Sequence, residues 1–283
     1  MSTATTITAA DINKLRQSTG AGMMDCRKAL MESDGDFEKA IDYLRKKGQK
    51  VAALRSDREA KEGVIIARTT QDNKSGLIIT LACETDFVAK NSDFVAFAQS
   101  IMDAAIKDNV GSLEALLNTE VAGASVADKI NDQVAKIGEK IQLARFERVD
   151  AEGVAAYIHG AYRMGVLVGL SSNNPEVLEA GKNLAMQIAA MNPVAIDADS
   201  VSPETVAREK AIVTEQIKND PKMAGKPDEM IDKIAMGKLN AFFKENTLLG
   251  QAYVKDAAKT VGDYLKSVDN QVRVTEFKRV QLG

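Results

Sequence analysis

Apolar residues along this chain follow two patterns. Short unbroken runs alternate with longer stretches in which apolar positions recur every three or four residues. The clearest run is Leu77-Ile-Ile-Thr-Leu-Ala-Cys83, preceded by Gly76. A run this short and rich in β-branched residues predicts a buried strand. After it, Phe94, Phe97, Ala98, Ile101 and Ala105 recur at helical spacing behind Ser92-Asp93, which are good N-cap residues. Between strand and helix lies a polar loop with one large aromatic, Phe87, flanked by Asp86 and Val88. Recognition is often placed on loops held between rigid elements. At this level two readings of Phe87 stand open: a contact residue, or a core lid or staple folded back onto the helix.

The first fifty residues have helical spacing throughout. Ile12 and Leu15 mark a short amphipathic helix that stops at Gly20-Ala-Gly22. Cys26, Ala29 and Leu30 mark a second. Asp34-Gly35-Asp36 makes a turn, and Phe37, Ala40, Ile41 and Leu44 mark a third, expected to end at Gly48. Residues 1–50 therefore read as a compact three-helix bundle of the ubiquitin-associated type, with a marginal core of its own. Met23 and Met24 adjoin the glycine turn and cannot both face so small a core, and methionine is an adaptable contact residue. The stretch from Arg45 to Glu62 is charged and poor in large apolar residues. It predicts a linker over 51–62, helical in part.

From Gly63 onward one unit is written twice. Gly63-Val-Ile-Ile-Ala opens the first copy and Gly153-Val-Ala-Ala-Tyr the second. Gly76-Leu-Ile-Ile-Thr-Leu81 matches Gly165-Val-Leu-Val-Gly-Leu170, so each copy opens with a hairpin. A helix follows in both. Ile130, Val134, Ile137, Leu143, Phe146, Arg148 and Val149 then match Val261, Leu265, Val268, Val274, Phe277, Arg279 and Val280 without a gap. Each closing piece reads as a helix and a third strand. The expected fold class is α+β: two related three-stranded antiparallel subdomains, 63–150 and 151–283, with helices on one face of each sheet.

Aligning the copies isolates an insertion of about 202–245 in the second. Ser202-Pro203 is a helix start, and Pro221 and Gly225-Lys-Pro227 break the segment in the middle. Val206, Ile212, Val213 and Ile217 mark one arm; Met230, Ile231, Ile234, Leu239, Phe242 and Phe243 mark the other. The insertion predicts a helical hairpin, either projecting as an interaction element or packed down on its own domain. The repeat also bears on Phe87. The second copy makes the same strand-to-helix turn with Asn173-Asn-Pro-Glu and no aromatic. The scaffold does not demand Phe87, which favours the contact reading.

Composition narrows the chemistry. The chain has 283 residues, a formal charge of -3 and one histidine, His159. No overall basic bias points to nucleic acid as the main partner. Cys26 and Cys83 are the only cysteines, too few for a disulfide framework or a Cys/His zinc site. There is no Gly-x-Ser-x-Gly elbow and no phosphate-cradling Gly-Lys-Ser/Thr loop. No run of eighteen apolar residues occurs, and Met1-Ser-Thr-Ala-Thr is no signal peptide, so cytoplasmic residence without membrane attachment is expected. Two other classes stay open: an RNA- or ribosome-binding protein using the basic residues between Arg45 and Lys61, and a thiol enzyme using Cys83.

Thr19-Gly-Ala-Gly-Met-Met-Asp-Cys-Arg-Lys-Ala-Leu30 and Glu84-Thr-Asp-Phe-Val-Ala-Lys90 resemble the two signatures of the bacterial elongation factor Ts family. His159-Gly160 with Gly165-Val-Leu-Val168 is similar to the family's second-core pattern, and the resemblance spans nearly the whole chain. It implies a guanine-nucleotide exchange factor for elongation factor Tu, with no cofactor, no metal and no covalent step. Asp86 and Phe87, with Thr85 and Val88 beside them, resemble the loop that intrudes near Tu's magnesium and phosphate site. Arg16, Met23 and Met24 resemble the N-terminal contact with the same domain of Tu. Ile137 resembles a core contact, and His159 one that meets Tu away from the phosphates. The resemblance makes the hairpin a candidate for joining two heterodimers. It implies neither direct nucleotide binding nor stable nucleic-acid binding. Many family members carry a further C-terminal helix that touches Tu, and that contact is expected to be absent or replaced here.

Overall fold

The computed structural model describes residues 7–220 and 227–283. Met1-Ser-Thr-Ala-Thr and the breaks at Pro221 and Gly225-Lys226 lie outside the described residues. The fold mixes helices with small antiparallel sheets. At the N-terminal end α1 (Ala9–Thr19), α2 (Met23–Glu32) and α3 (Phe37–Leu54) close on Leu15, Cys26, Ala29, Leu30, Ala40 and Leu44. Local chemistry sets their ends. Thr8 and Asp11 form a reciprocal capping box at the start of α1, Gly20 ends it in the left-handed region, and Asp36 caps α3.

Two three-stranded sheets follow. The first has order β1-β2-β5, from Glu62–Thr69, Ser75–Cys83 and Gln142–Asp150. The second has order β10-β7-β6, from Val274–Gln281, Met164–Leu170 and Gly153–His159. Helices α5 (Ser92–Lys107) and α7 (Val126–Ile137) accompany the first sheet. Helices α8 (Pro175–Met191) and α11 (Val261–Val268) accompany the second. The central strands β2 and β7 are buried on both faces, which is why they read as continuous apolar runs. Leu77, Ile79 and Leu81 join the helix-side core of the first repeat, and Val166, Val168 and Leu170 that of the second. The opposite faces meet each other. Ile65, Ala67, Ile78, Val149, Val154, Leu167, Val280 and Leu282 form one cluster between the two sheets.

This contact is reciprocal down to single atoms. The backbone N–H of Ile65 donates to the Tyr162 carbonyl at 2.7 Å, and that of Val154 to the Asn73 carbonyl at 2.7 Å. Val154 stands to Ile65, and Tyr162 to Asn73, in the same sequence offset that relates Gly165 to Gly76. The glycines show why the sheets can approach so closely. A Cβ on Gly76 would lie 2.7 Å from Val154 Cγ1, and one on Gly165 would lie 2.7 Å from Ile65 Cγ2.

Three features depart from the sequence expectation. Helix α3 does not end at Gly48 but runs to Leu54. A Cβ on Gly48 would lie 2.8 Å from the Asn131 carbonyl oxygen of α7, so this glycine serves close helix packing, not termination. Two small hairpins, β3–β4 (Glu120–Val121 with Ala124–Ser125) and β8–β9 (Ala252–Tyr253 with Asp256–Thr260), precede α7 and α11. Three of these strands have two residues and the five-residue β9 is exposed almost throughout, so none leaves a readable periodicity. Finally, Ile212 and Met230 are exposed in the helical arm. The arm consists of α9 (Pro203–Lys218) and α10 (Asp228–Asn246), which meet through Ile217, Ile231 and Ala235 in a seam of their own. Ala195 and Thr247 bridge at its base.

The reciprocal glycines make a testable pair. Gly76→Ala and Gly165→Ala should each destabilise the protein by about 1–3 kcal/mol through overpacking. Gly111→Ala, with open space around its Cα, should be near neutral. Denaturant midpoints compare the three; a neutral result at both sheet glycines would mean that the interface can spread without cost.

Candidate functional site

The segment from β2 to α5 is not an open loop. Asp86–Ala89 forms a single helical turn, α4, capped by Thr85, whose side-chain oxygen accepts from the Val88 N–H. The turn splits its side chains. Val88 and Ala89 pack on the first core, while Phe87 points away and is 83% exposed. The lid and staple readings are thereby excluded for Phe87. Asp86 pairs with Lys90 at 2.6 Å on the same turn. That hydrogen bond holds the Asp86 carboxyl below its ordinary range.

An isolated four-residue helix has no stability of its own in water. Two carboxylates fix this one from below. Glu139, just past the left-handed Gly138 that ends α7, uses both oxygens on Thr85. One accepts the backbone N–H at 3.0 Å and the other the hydroxyl at 2.7 Å. Glu84 accepts from Arg55 at 2.8 Å, from Arg58 at 3.0 Å and from the Lys140 backbone N–H at 2.6 Å. Lys140 Nζ in turn donates to the carbonyls of Ser56 and Arg58. Desolvation acts to raise the Glu84 pKa, yet the Lys140 N–H and the two guanidinium groups outweigh it and hold this carboxyl down at about 2.

None of these five clamp residues was singled out from the sequence as a site residue. One signal was available for Glu139. A carboxylate next to a helix C-terminus meets the negative end of the helix dipole, which is unfavourable without a specific donor. Arg55 and Arg58 belong to the basic stretch between Arg45 and Lys61, and both are committed to Glu84. Lys47 of the same stretch pairs with Asp25.

The other expected contact residues fall into two groups. Arg16 is exposed on α1, and Met23 and Met24 are 52% and 71% exposed at the start of α2. Their helices join at Gly20, whose Cα faces the Lys136 side chain near the C-terminus of α7. Ile137, half-buried against the first core, follows immediately, and then the Glu139 clamp. The N-terminal turn, the end of α7 and the Phe87 turn are therefore linked in sequence and by contact. His159 is elsewhere. It ends β6 in the second sheet, exposed, with Nδ1 3.0 Å from the Tyr157 hydroxyl.

Cys83 lies buried beneath the turn and donates to the Thr85 carbonyl. Burial, then the nearby Glu139 charge, pushes its thiol up to about 12. A thiol so protonated at neutral pH is no nucleophile, which removes the thiol-enzyme reading. Among the described residues no cluster of His, Cys, Asp and Glu could hold a metal ion, and no helix is long and apolar enough to cross a membrane.

A family described as Elongation factor TS matches residues 84–283. The chain belongs to this family. The elongation factor Ts of Christiangramia forsetii is 50% identical over 277 residues, covering 98% of this chain and 99% of the relative. That of Flavobacterium psychrophilum is 48% identical over 278 residues, with the same coverage. The elongation factor Ts of Chlorobaculum tepidum is 41% identical over 288 residues, again covering 98% and 99%. Family membership thus extends over the N-terminal helices as well as both sheets.

The depressed Glu84 has a pH signature. Its folded pKa lies below the ordinary 4.5, so its contribution is complete above pH about 4.5 and is lost as pH falls toward about 2. Wild type should lose stability across this window more steeply than Glu84→Gln. Denaturant midpoints from pH 5 to 3 check this; parallel curves would mean that Glu84 gains nothing from its three donors.

Proposed function

We propose that this elongation factor Ts family member promotes GDP release from elongation factor Tu by intruding the Asp86–Phe87 turn near Tu's magnesium and phosphate site. The observation that carries this reading is Phe87 itself: a large aromatic 83% exposed on a turn braced by five donors to two carboxylates. Transfer of its ring into a partner pocket would contribute about 1.5–3 kcal/mol. Bracing lowers the ordering cost that a flexible loop would incur on binding.

The remaining contacts fit around this wedge. Arg16, Met23 and Met24 would meet the same nucleotide-binding domain of Tu, Thr85, Val88 and Ile137 would flank the wedge, and His159 would touch Tu away from the phosphates. In domain terms, residues 1–50 act as a ubiquitin-associated-like module on a linker of 51–62 whose first residues continue α3 to Leu54. Residues 63–150 and 151–283 are then the two core subdomains, and the arm at about 202–245 is a candidate for joining two heterodimers. This chain makes no direct contact with the nucleotide, and the work is done in the cytoplasm.

The physics required is linkage, not covalent catalysis. If this protein weakens GDP binding to Tu by some factor, GDP weakens its own binding by the same factor. Only contacts made better in the nucleotide-free state accelerate release. The RNA-binding alternative loses ground because Arg55 and Arg58 are engaged by Glu84.

Phe87→Ala should change stability by no more than about 0.5 kcal/mol, as expected at an exposed site, against about 3–5 kcal/mol for a core Phe. The same variant should slow the release of fluorescent GDP from Tu severely. Normal release by Phe87→Ala would sink the wedge. Met23→Asp combined with Met24→Asp should raise the half-saturating concentration in this assay by about tenfold or more, equivalent to 1.4 kcal/mol. Its melting temperature should hold, since both side chains are exposed; an unchanged half-saturating concentration would remove α2 from the contact surface.

A further inference from the structure

The exchange reading leaves open what keeps the wedge in a single orientation. We infer that Glu139 is a positioning residue: it fixes the Phe87 turn relative to α7, and through α7 relative to the N-terminal helices. The inference rests on the wedge reading above.

Glu139 has no place among the family signatures quoted for this chain, yet it holds both polar groups of the residue that caps α4. The Thr85 hydroxyl donates to Oε1 at 2.7 Å and the Thr85 N–H to Oε2 at 3.0 Å. Thr85 is the hinge of the turn. Its own oxygen faces the Val88 N–H, its carbonyl accepts from the Ala89 N–H, and Phe87 lies between Thr85 and these two donors. A carboxylate that grips Thr85 with both oxygens fixes its position and its rotation together. Removal of that grip leaves the short turn with Glu84 on one side only.

The other end of the lever is equally defined. Glu139 follows Gly138, whose N–H closes α7 on the Val134 carbonyl. Helix α7 packs on α3 so closely that Gly48 has no room for a side chain, and Lys136 lies against Gly20. A displacement of the N-terminal helices against the core therefore reaches Thr85 through one rigid helix and one carboxylate. Glu84, tied to Arg55 and Arg58 just past α3, makes a second connection of the same sense. Exchange activity should depend on these connections more than affinity does. A misplaced wedge still lets the rest of the surface dock, while a displacement of about 1 Å at a working group can cost about a hundredfold in rate.

Three variants test this: Glu139→Ala, Glu139→Gln and Phe87→Ala. Glu139→Ala should speed amide hydrogen exchange at Thr85–Val88 in the free protein and lower the maximal rate of GDP release by about tenfold, an effect of misplacement smaller than full loss of the group. The half-saturating concentration of the factor should stay within about twofold, inside the usual scatter of a single surface contact. Glu139→Gln keeps one acceptor oxygen and should recover part of both effects. Unchanged amide exchange in Glu139→Ala would overturn the clamp whatever the kinetics. Faster amide exchange with normal GDP release would show that the orientation of the turn is irrelevant and would also overturn it. A rise in half-saturating concentration alone would make Glu139 an ordinary contact residue, again against the inference. If Phe87→Ala releases GDP normally, the wedge reading itself has failed and the clamp's functional role goes with it; slow release by Phe87→Ala separates that failure from a failure of the clamp.

Discussion

Everything in this fold is referred to the contact between the two sheets. Each sheet must bury its second apolar face, and it does so against that of the other repeat. Gly76 and Gly165 sit where the approach is closest, and the Ile65–Tyr162 and Val154–Asn73 hydrogen bonds close the two edges. The result is an isologous interface inside one chain. Both central strands become double-faced core, and the helices are confined to the outer sides. The strand-to-helix connections then emerge from buried strands whose positions are fixed.

The first repeat's connection inherits this rigidity. Strand β2 ends in Cys83, packed in the first core, and the chain turns at Glu84 and Thr85 into the four-residue helix bearing Phe87. The protein orders an exposed aromatic by placing every neighbour of that aromatic under constraint. Val88 and Ala89 are anchored in the core below it, Glu139 binds the backbone N–H and hydroxyl of the capping Thr85, and Glu84 just before it is held by Arg55, Arg58 and the Lys140 N–H. Charge is used here for position as well as for stability. Glu84, only 15% exposed, satisfies three donors and Glu139 two, and both thereby specify geometry.

Much of this was legible in the sequence, and the residues show why. Strands β2 and β7 were visible as unbroken apolar runs because both of their faces are buried. Helix α5 was visible because only one of its faces is, and the repeat was visible because the same packing problem is solved twice. The arm appeared as the excess of one copy over the other. Legibility failed where the determinant was a distance between parts remote in sequence. Gly48 looked like a stop because the helix that crowds it lies far along the chain. Glu139 drew no notice in the sequence because Thr85, its partner, belongs to another element. The paired hairpins before α7 and α11 were too short, or in β9 too exposed, for any period to register.

The internal symmetry has a further consequence, one of valency. Two identical subunits related by a twofold axis must present every surface feature twice. Joined in a single chain, the halves are free to differ, and they do. One carries Phe87 on its turn, where the other carries Asn173-Asn174-Pro175 and starts α8 directly. One carries the arm, and the other closes without it. The scaffold is symmetric but its surface is singular. Each chain therefore presents one aromatic protrusion, in one direction, and a partner that reads it meets each molecule in a single pose.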